Sequence, residues 1–308
     1  MAGRRTADEG HAHGEHDHAH HDHDHDHEHG HEHGEEDRRI RVLHGASPFC
    51  WWSWGYEGTL ERLKLLYGDQ IKVNVYQVPV WDDLEEHHRT YGTDDPATYE
   101  EWTREAEELM GLPLGRDALK ALPRSCVPGT LMVHAAEAVA PGAGARLARR
   151  IAYHANVEAG PDLQDTASLL RLAEACGAPR KAVEQAFGDG TAQRSLDEDA
   201  QSYHALGLNF YALQARDFEG RTVTIEHAFE AARMEEAVEW LARGTLERQP
   251  LPEPAAYLAA RAPVSLRELQ EVFQLGPAEA RRAAEPAERA GGVARREVLG
   301  HVFWVPKR

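Results

Sequence analysis

Two stretches of the chain read as strands, the second alternating apolar and polar residues with period two. Ile40-Arg41-Val42-Leu43-His44 reads as one short strand, and Ile71-Lys72-Val73-Asn74-Val75-Tyr76-Gln77-Val78 as another. Between them, residues 54–67 carry Leu60, Leu63, Leu65 and Leu66 at helical spacing. Glu61 and Lys64 lie on the polar side, and Gly68 stands where a helix would end. The turn Ser47-Pro48-Phe49-Cys50 joins the first strand to this helix. Strand, helix and strand at this spacing predict parallel pairing through a right-handed crossover.

From about residue 95 to 188 the pattern turns helical. Asp95-Pro96 suits a helix start, Gly111-Leu112-Pro113 a stop, and further helices are expected at 131–140, 145–155 and 168–176. Strand character returns at 208–214 and 221–225, with a turn at Glu219-Gly220, followed by a helix at about 228–243. Past the proline-rich stretch Pro250-Leu251-Pro252-Glu253-Pro254, helices are expected at 255–261, 265–273 and 278–290. Ser265 and Glu268 have capping-box spacing, and a hairpin turns at Gly300. The fold class is therefore α/β. A thioredoxin-like sheet over 38–250 takes a helical insertion at about 95–188, a small winged-helix-like domain occupies 251–308, and residues 1–37 form a low-complexity tail.

Composition sharpens this outline. The chain has 308 residues, 42% of them hydrophobic, and a net charge of -18. About ten of those charges precede Arg38, so the remainder is mildly acidic and its overall field does not favour nucleic acid or anionic lipid. No apolar run reaches the roughly 18–20 residues of a membrane helix, and Arg4 and Arg5 lead into His, Asp and Glu rather than the apolar core of an export signal. Three widely spaced cysteines, Cys50, Cys126 and Cys176, make no disulfide framework and suit a reducing compartment, so a cytoplasmic location is expected.

Twelve of the twenty histidines lie in the tail: His11, His13, His16, His18, His20, His21, His23, His25, His27, His29, His31 and His33. Imidazoles interleaved with carboxylates are candidate ligands for zinc, nickel or copper. The adjacent pair His87-His88 is expected simply to be exposed.

Cys50 stands between a strand and the first turn of a helix, where unpaired N–H groups favour a thiolate. The run Cys50-Trp51-Trp52-Ser53 is a C-x-x-C pattern with serine in the second place. Ser53 can hydrogen-bond a thiolate but cannot resolve a mixed disulfide, so chemistry here would be monothiol. The plainer reading is a buried structural cysteine. Trp51 or Trp52 is expected to line an apolar surface beside the thiol. Cys126 could reach Cys50 or simply be packed, and Cys176 reads as core.

The segment Ser47-Pro48-Phe49-Cys50-Trp51-Trp52-Ser53-Trp54-Gly55-Tyr56-Glu57 resembles the active-site turn of the DsbA-like thioredoxin superfamily. Over residues 39–308 the chain is most similar to two-domain YjbH-type adaptors, which present the transcription factor Spx to the ClpXP protease. The resemblance rests on the histidine-containing N-terminal segment, the DsbA-like part and an ending like Gly300-His301-Val302-Phe303-Trp304. It implies a groove formed by Trp51 and Trp52 against Asn209, Phe210 and Tyr211, where the superfamily carries a cis-proline. No proline occurs here between Pro179 and Pro250, and Phe210, or Ala212 if the register slips, is expected to take that place with a trans bond. Loss of both the second cysteine and the proline points to an adaptor that binds another protein, tuned by thiol state or metal. The alternative is an enzyme with Cys50 and Ser53 as catalytic residues: a monothiol oxidoreductase, or a glutathione-dependent transferase or isomerase related to the kappa class. DNA binding by the C-terminal part is disfavoured. Arg281-Arg282 and Arg295-Arg296 are accompanied by Glu279, Glu285 and Glu288, and Pro286 is expected to interrupt the helix.

Overall fold

The computed structural model describes residues 37–307, so the histidine tail and all twelve of its candidate metal ligands lie outside it. Strand β1 (Ile40–Ala46) leads into a short helix α1 (Trp51–Gly55) and then α2 (Glu57–Tyr67). The single helix expected from residue 54 thus starts at Trp51 and is divided at Tyr56. Strand β2 (Ile71–Gln77) pairs in parallel with β1, with Ile40 opposite Ile71 and Ala46 opposite Gln77.

A helical block follows: α3 (Leu84–Tyr91), α4 (Pro96–Met110), α5 (Arg116–Lys120), α6 (Val127–Val139), α7 (Ala143–Asn156), α8 (Thr166–Ala175), α9 (Arg180–Gly188) and α10 (Thr191–Ala205). It begins earlier and ends later than the expected 95–188. Helix α9 falls at the end of the expected block, whereas α10 lies beyond it and buries little, Ala192 and Leu196. Capping sets the starts of α3 and α4. Asp83 accepts hydrogen bonds from the Glu85 and Glu86 N–H groups, and Asp95 from that of Thr98, ahead of Pro96.

Strands β3 (Ala212–Arg216) and β4 (Thr222–Glu226) form a hairpin whose turn uses Gly220 at φ +85. Residues 208–211, expected as strand, are loop. β3 runs antiparallel to β1, giving the order β2-β1-β3-β4, and α11 (Ala231–Ala242) packs on the sheet.

The C-terminal part contains α12 (Pro254–Arg261), β5 (Val264–Ser265), α13 (Leu266–Phe273), α14 (Pro277–Ala290), β6 (Val293–Val298) and β7 (His301–Pro306), with strand order β5-β7-β6. Pro286 lies inside a continuous α14, contrary to expectation. It faces solvent, where the backbone can bend and a carbonyl left without its N–H can reach water. Only half of the expected capping box forms. Ser265, at the start of α13, accepts from the Glu268 N–H at 3.0 Å, but the Glu268 carboxylate turns instead to Arg149 and Tyr257.

One core lies between the sheet, α2 and α11 and includes Val42, Leu63, Leu213, Met234 and Phe303. A second fills the helical block and includes Phe49 and Trp81, so the residue before Cys50 is anchored there. A third lies within the C-terminal part.

Candidate functional site

The turn after β1 is tied at several points. The Cys50 N–H donates to the Ser47 carbonyl at 3.1 Å, and the Ser47 N–H donates to the Ser53 hydroxyl at 3.1 Å. Phe49 packs edge-on against Trp81, with ring centroids 6.0 Å apart. Gly129 on α6 makes room for that ring, since a Cβ there would stand 2.5 Å from it. Cys50 itself is the N-cap of α1, with extended backbone angles.

Cys50 is 8% exposed. Burial pushes its thiol above the ordinary thiol range, against the opposing pull of the Ser53 and Trp52 N–H groups and the Ser53 hydroxyl. The helix start therefore does not make Cys50 a resting thiolate, as the sequence position suggested, because desolvation outweighs the donors. Those donors remain directed at the sulfur and can act on negative charge as it develops there.

The thiol opens into a pocket of about 360 Å³. Trp51 and Trp52 flank it from α1, their rings 6.2 Å apart. Trp52 stacks on Phe229 at 6.0 Å, which fixes its plane. Phe210 and Tyr211 close one side from the loop before β3. Asn209 is not part of the lining, a departure from the expected groove; its side-chain oxygen accepts from the Tyr211 N–H at 3.1 Å. The peptide bonds of this loop are trans.

The opposite wall was not anticipated. It comes from α3 and α4 and carries His87, His88, Tyr91, Tyr99 and Trp102. His87 and His88 are half-buried, not simply exposed: His87 packs against Trp81 at 5.4 Å and Tyr91 at 4.8 Å, and His88 meets Tyr99 edge-on at 5.2 Å. Burial lowers the pKa of both, and the His88 Nδ1 lies 2.8 Å from the Thr93 hydroxyl. The signal for this wall was in the sequence as Leu84, His87, His88 and Tyr91, one face of a helix at i, i+3, i+4 and i+7. Reading the histidines as polar hid it.

The three cysteines are free thiols. Cys126 is held by Trp81: its thiol donates to the Trp81 carbonyl at 2.8 Å and accepts from the Trp81 N–H at 3.3 Å, and burial pushes it up to about 11. Cys176 is buried at the end of α8. Among the described residues no group of three or more His, Cys, Asp or Glu could hold a metal ion, and no helix is long and apolar enough to cross a membrane.

No protein-family model and no curated protein matches the sequence. Solved structures do match in fold. A protein disulfide isomerase candidate from Nitrosomonas europaea superposes with a TM-score of 0.52 at 17% identity, covering 67% of this chain and 100% of that one. The cytosolic disulfide reductase DsbM from Pseudomonas aeruginosa gives 0.49 at 20% identity, covering 67% and 97% of the two chains. A DsbA oxidoreductase candidate from Streptomyces coelicolor gives 0.49 at 17%, covering 70% and 93%. The first likeness, together with the sheet order and the inserted helical block, shows a thioredoxin-like fold. At the position between β1 and α1 this chain presents one cysteine followed, three residues on, by serine.

Proposed function

We propose that this protein performs monothiol disulfide exchange at Cys50. The observation that carries the reading is the placement of the Cys50 sulfur in an aromatic pocket, with the Trp52 and Ser53 N–H groups and the Ser53 hydroxyl directed at it. Cys50 loses its proton to water and its sulfur attacks a disulfide R–S–S–R′. The Cys50–S–S–R bond forms, the S–S bond of the substrate breaks, and R′–S⁻ leaves and takes up a proton. Ser53 cannot displace R, so a low-molecular-weight thiol completes the cycle by attacking the mixed disulfide. Glutathione is a candidate for that role.

The test is to treat the full chain with a small disulfide and locate the adduct by mass spectrometry. A thiol-releasable adduct on Cys50, absent in Cys50→Ser, is expected. A Cys50 that takes no adduct while the chain stays folded would overturn the reading.

One observation favours a second reading, a YjbH-like adaptor that holds a protein partner. Tyr91, Trp102 and Tyr211 line the pocket and are 55%, 41% and 44% exposed. Retention of a specific partner by Cys50→Ala in a pull-down would support it. The same proposal includes a cytosolic location, a winged-helix reading of the C-terminal part as a packing module, and zinc, nickel or copper binding by the histidine tail. Calorimetric titration of the full chain against a chain starting at residue 37 tests the metal claim: binding lost with the tail is expected.

A further inference from the structure

The Cys50 pocket has a chemical character that narrows its substrate, and this inference rests on the disulfide-exchange reading above. Among the described residues, no Asp, Glu, Lys or Arg lines it. Its polar side chains besides Cys50 are two histidines, Thr93 and the hydroxyl or indole edges of the aromatic residues. Thr93 and His88 are paired with each other. A carboxylate entering such a site would give up its water with no cation to replace it. The walls instead offer flat π surfaces on three sides: Trp51 and Trp52, Tyr99 and Trp102, Phe210 and Tyr211.

The volume of about 360 Å³ suits a small molecule. The loop beside the thiol is poorly equipped to pair with an extended peptide backbone. The Tyr211 N–H is spent on the Asn209 side chain, and the Tyr211 carbonyl already accepts from the His227 N–H at 2.9 Å. We infer that the pocket binds a small disulfide whose sulfur carries an uncharged aromatic group, and that this group is the half Cys50 retains. The charged thiol that later releases it attacks from the open mouth and does not enter between the rings. A tripeptide disulfide with several carboxylates, such as oxidised glutathione, is then a poor first substrate.

The experiment compares three probes on the full chain: 4,4′-dithiodipyridine, which is uncharged and aromatic; 5,5′-dithiobis(2-nitrobenzoate), which is aromatic and anionic; and oxidised glutathione. Cys50→Ser supplies the background, and each rate is divided by that of the same chain unfolded in denaturant, which removes the intrinsic reactivity of the probe. The uncharged probe is expected to react at least about tenfold faster than the anionic one after this correction. Trp102→Arg, a change at the half-exposed rim, is expected to narrow the gap by admitting the anionic probe. Cys50-dependent exchange with equal corrected rates, or with faster reaction of the anionic probes, overturns the substrate assignment and leaves disulfide exchange standing. Absence of Cys50-dependent exchange with every probe overturns the exchange reading itself, and the assignment with it. A fourth arm uses a disulfide-linked apolar peptide. If it exceeds the aromatic probe, the occupant is a polypeptide and the small-molecule assignment fails.

Discussion

Ser53 stands where a C-x-x-C site has its second thiol, and its hydroxyl is directed at the Cys50 sulfur. Burial holds the Cys50 thiol above its ordinary pKa, so the thiolate is scarce at neutral pH and grows as pH rises. Alkylation of Cys50 by a neutral reagent is expected to accelerate steadily through pH 7 to 9 without reaching a plateau, as followed by mass spectrometry. A plateau below pH 8 would mean the sulfur is less buried than described. Ser53→Ala removes one donor to the sulfur and also leaves the Ser47 N–H without its acceptor. A net hydrogen bond is worth about 1 kcal/mol, so the alkylation rate at fixed pH should fall about fivefold. Ser53→Cys restores the second thiol. Mild oxidation should then give an internal disulfide, read as a loss of two hydrogens, with no thiol left to alkylate at either position. This part of the site was legible because Cys50, Trp51, Trp52 and Ser53 are contiguous in sequence and sit at a strand–helix junction. The wall from α3 and α4 was not, because it joins the pocket only through tertiary packing.

The elements hold this geometry through close approaches that sequence patterns describe unevenly. β1 was readable as a short strand, yet its His44 was unremarkable in the sequence and is 1% exposed in the structure, edge-on to Tyr56 at 5.0 Å. Burial, reinforced by Lys64, pushes the His44 pKa down to about 3. The unfolded chain takes up a proton near pH 6.5 that the folded chain refuses. This contribution to stability is complete above about pH 6.5 and is lost as pH falls toward about 3, at about 1.4 kcal/mol per pH unit. His87 and His88 shift in the same direction. His44→Phe should therefore flatten, but not abolish, the fall in urea-unfolding free energy between pH 6.5 and 4.5; an unchanged slope would place the charge loss elsewhere. On α6, Gly129→Ala drives a methyl into the Phe49 ring. It should cost about 1–3 kcal/mol and, by displacing the residue before Cys50, speed alkylation of the thiol. Neither position announces itself: glycine in a helix reads as a weakness, and only the neighbouring ring explains it.

Across the whole described chain, one guanidinium connects the site to the C-terminal part. Arg149 on α7 is 4% exposed. It donates to Glu57 at the start of α2 (2.7 Å), to Glu268 on α13, and to the carbonyls of Arg261 and Pro263, both at 2.9 Å. Gly58, one residue on, lets α13 approach α2: a Cβ there would stand 3.0 Å from the Glu271 Cβ. Glu271 in turn accepts from the Ala231 N–H at the start of α11 (2.8 Å), and Phe303 of β7 packs on Tyr153 in the core that holds the sheet. These contacts join the helix after the Cys50 turn, the helical block and the last strand. The proline-rich stretch at 250–254 is a local signal in the sequence, whereas the contact between Arg149 and Glu268 spans 119 positions. Arg149→Met keeps the packing volume but leaves Glu57 and Glu268 without their cation, and should lower the unfolding free energy by about 3–5 kcal/mol. Adding Glu268→Leu should recover part of that loss, because the stranded carboxylate is then removed as well; additive losses would show that the two residues do not act together. Ending the chain at residue 250 removes Glu268, Glu271 and Phe303 at once. That shorter chain is expected to lose its cooperative thermal transition by circular dichroism and to alkylate Cys50 as fast as unfolded chain does. A transition within a few degrees of the full chain would show that residues 37–250 stand alone and that the Arg149 contacts only dock the C-terminal part.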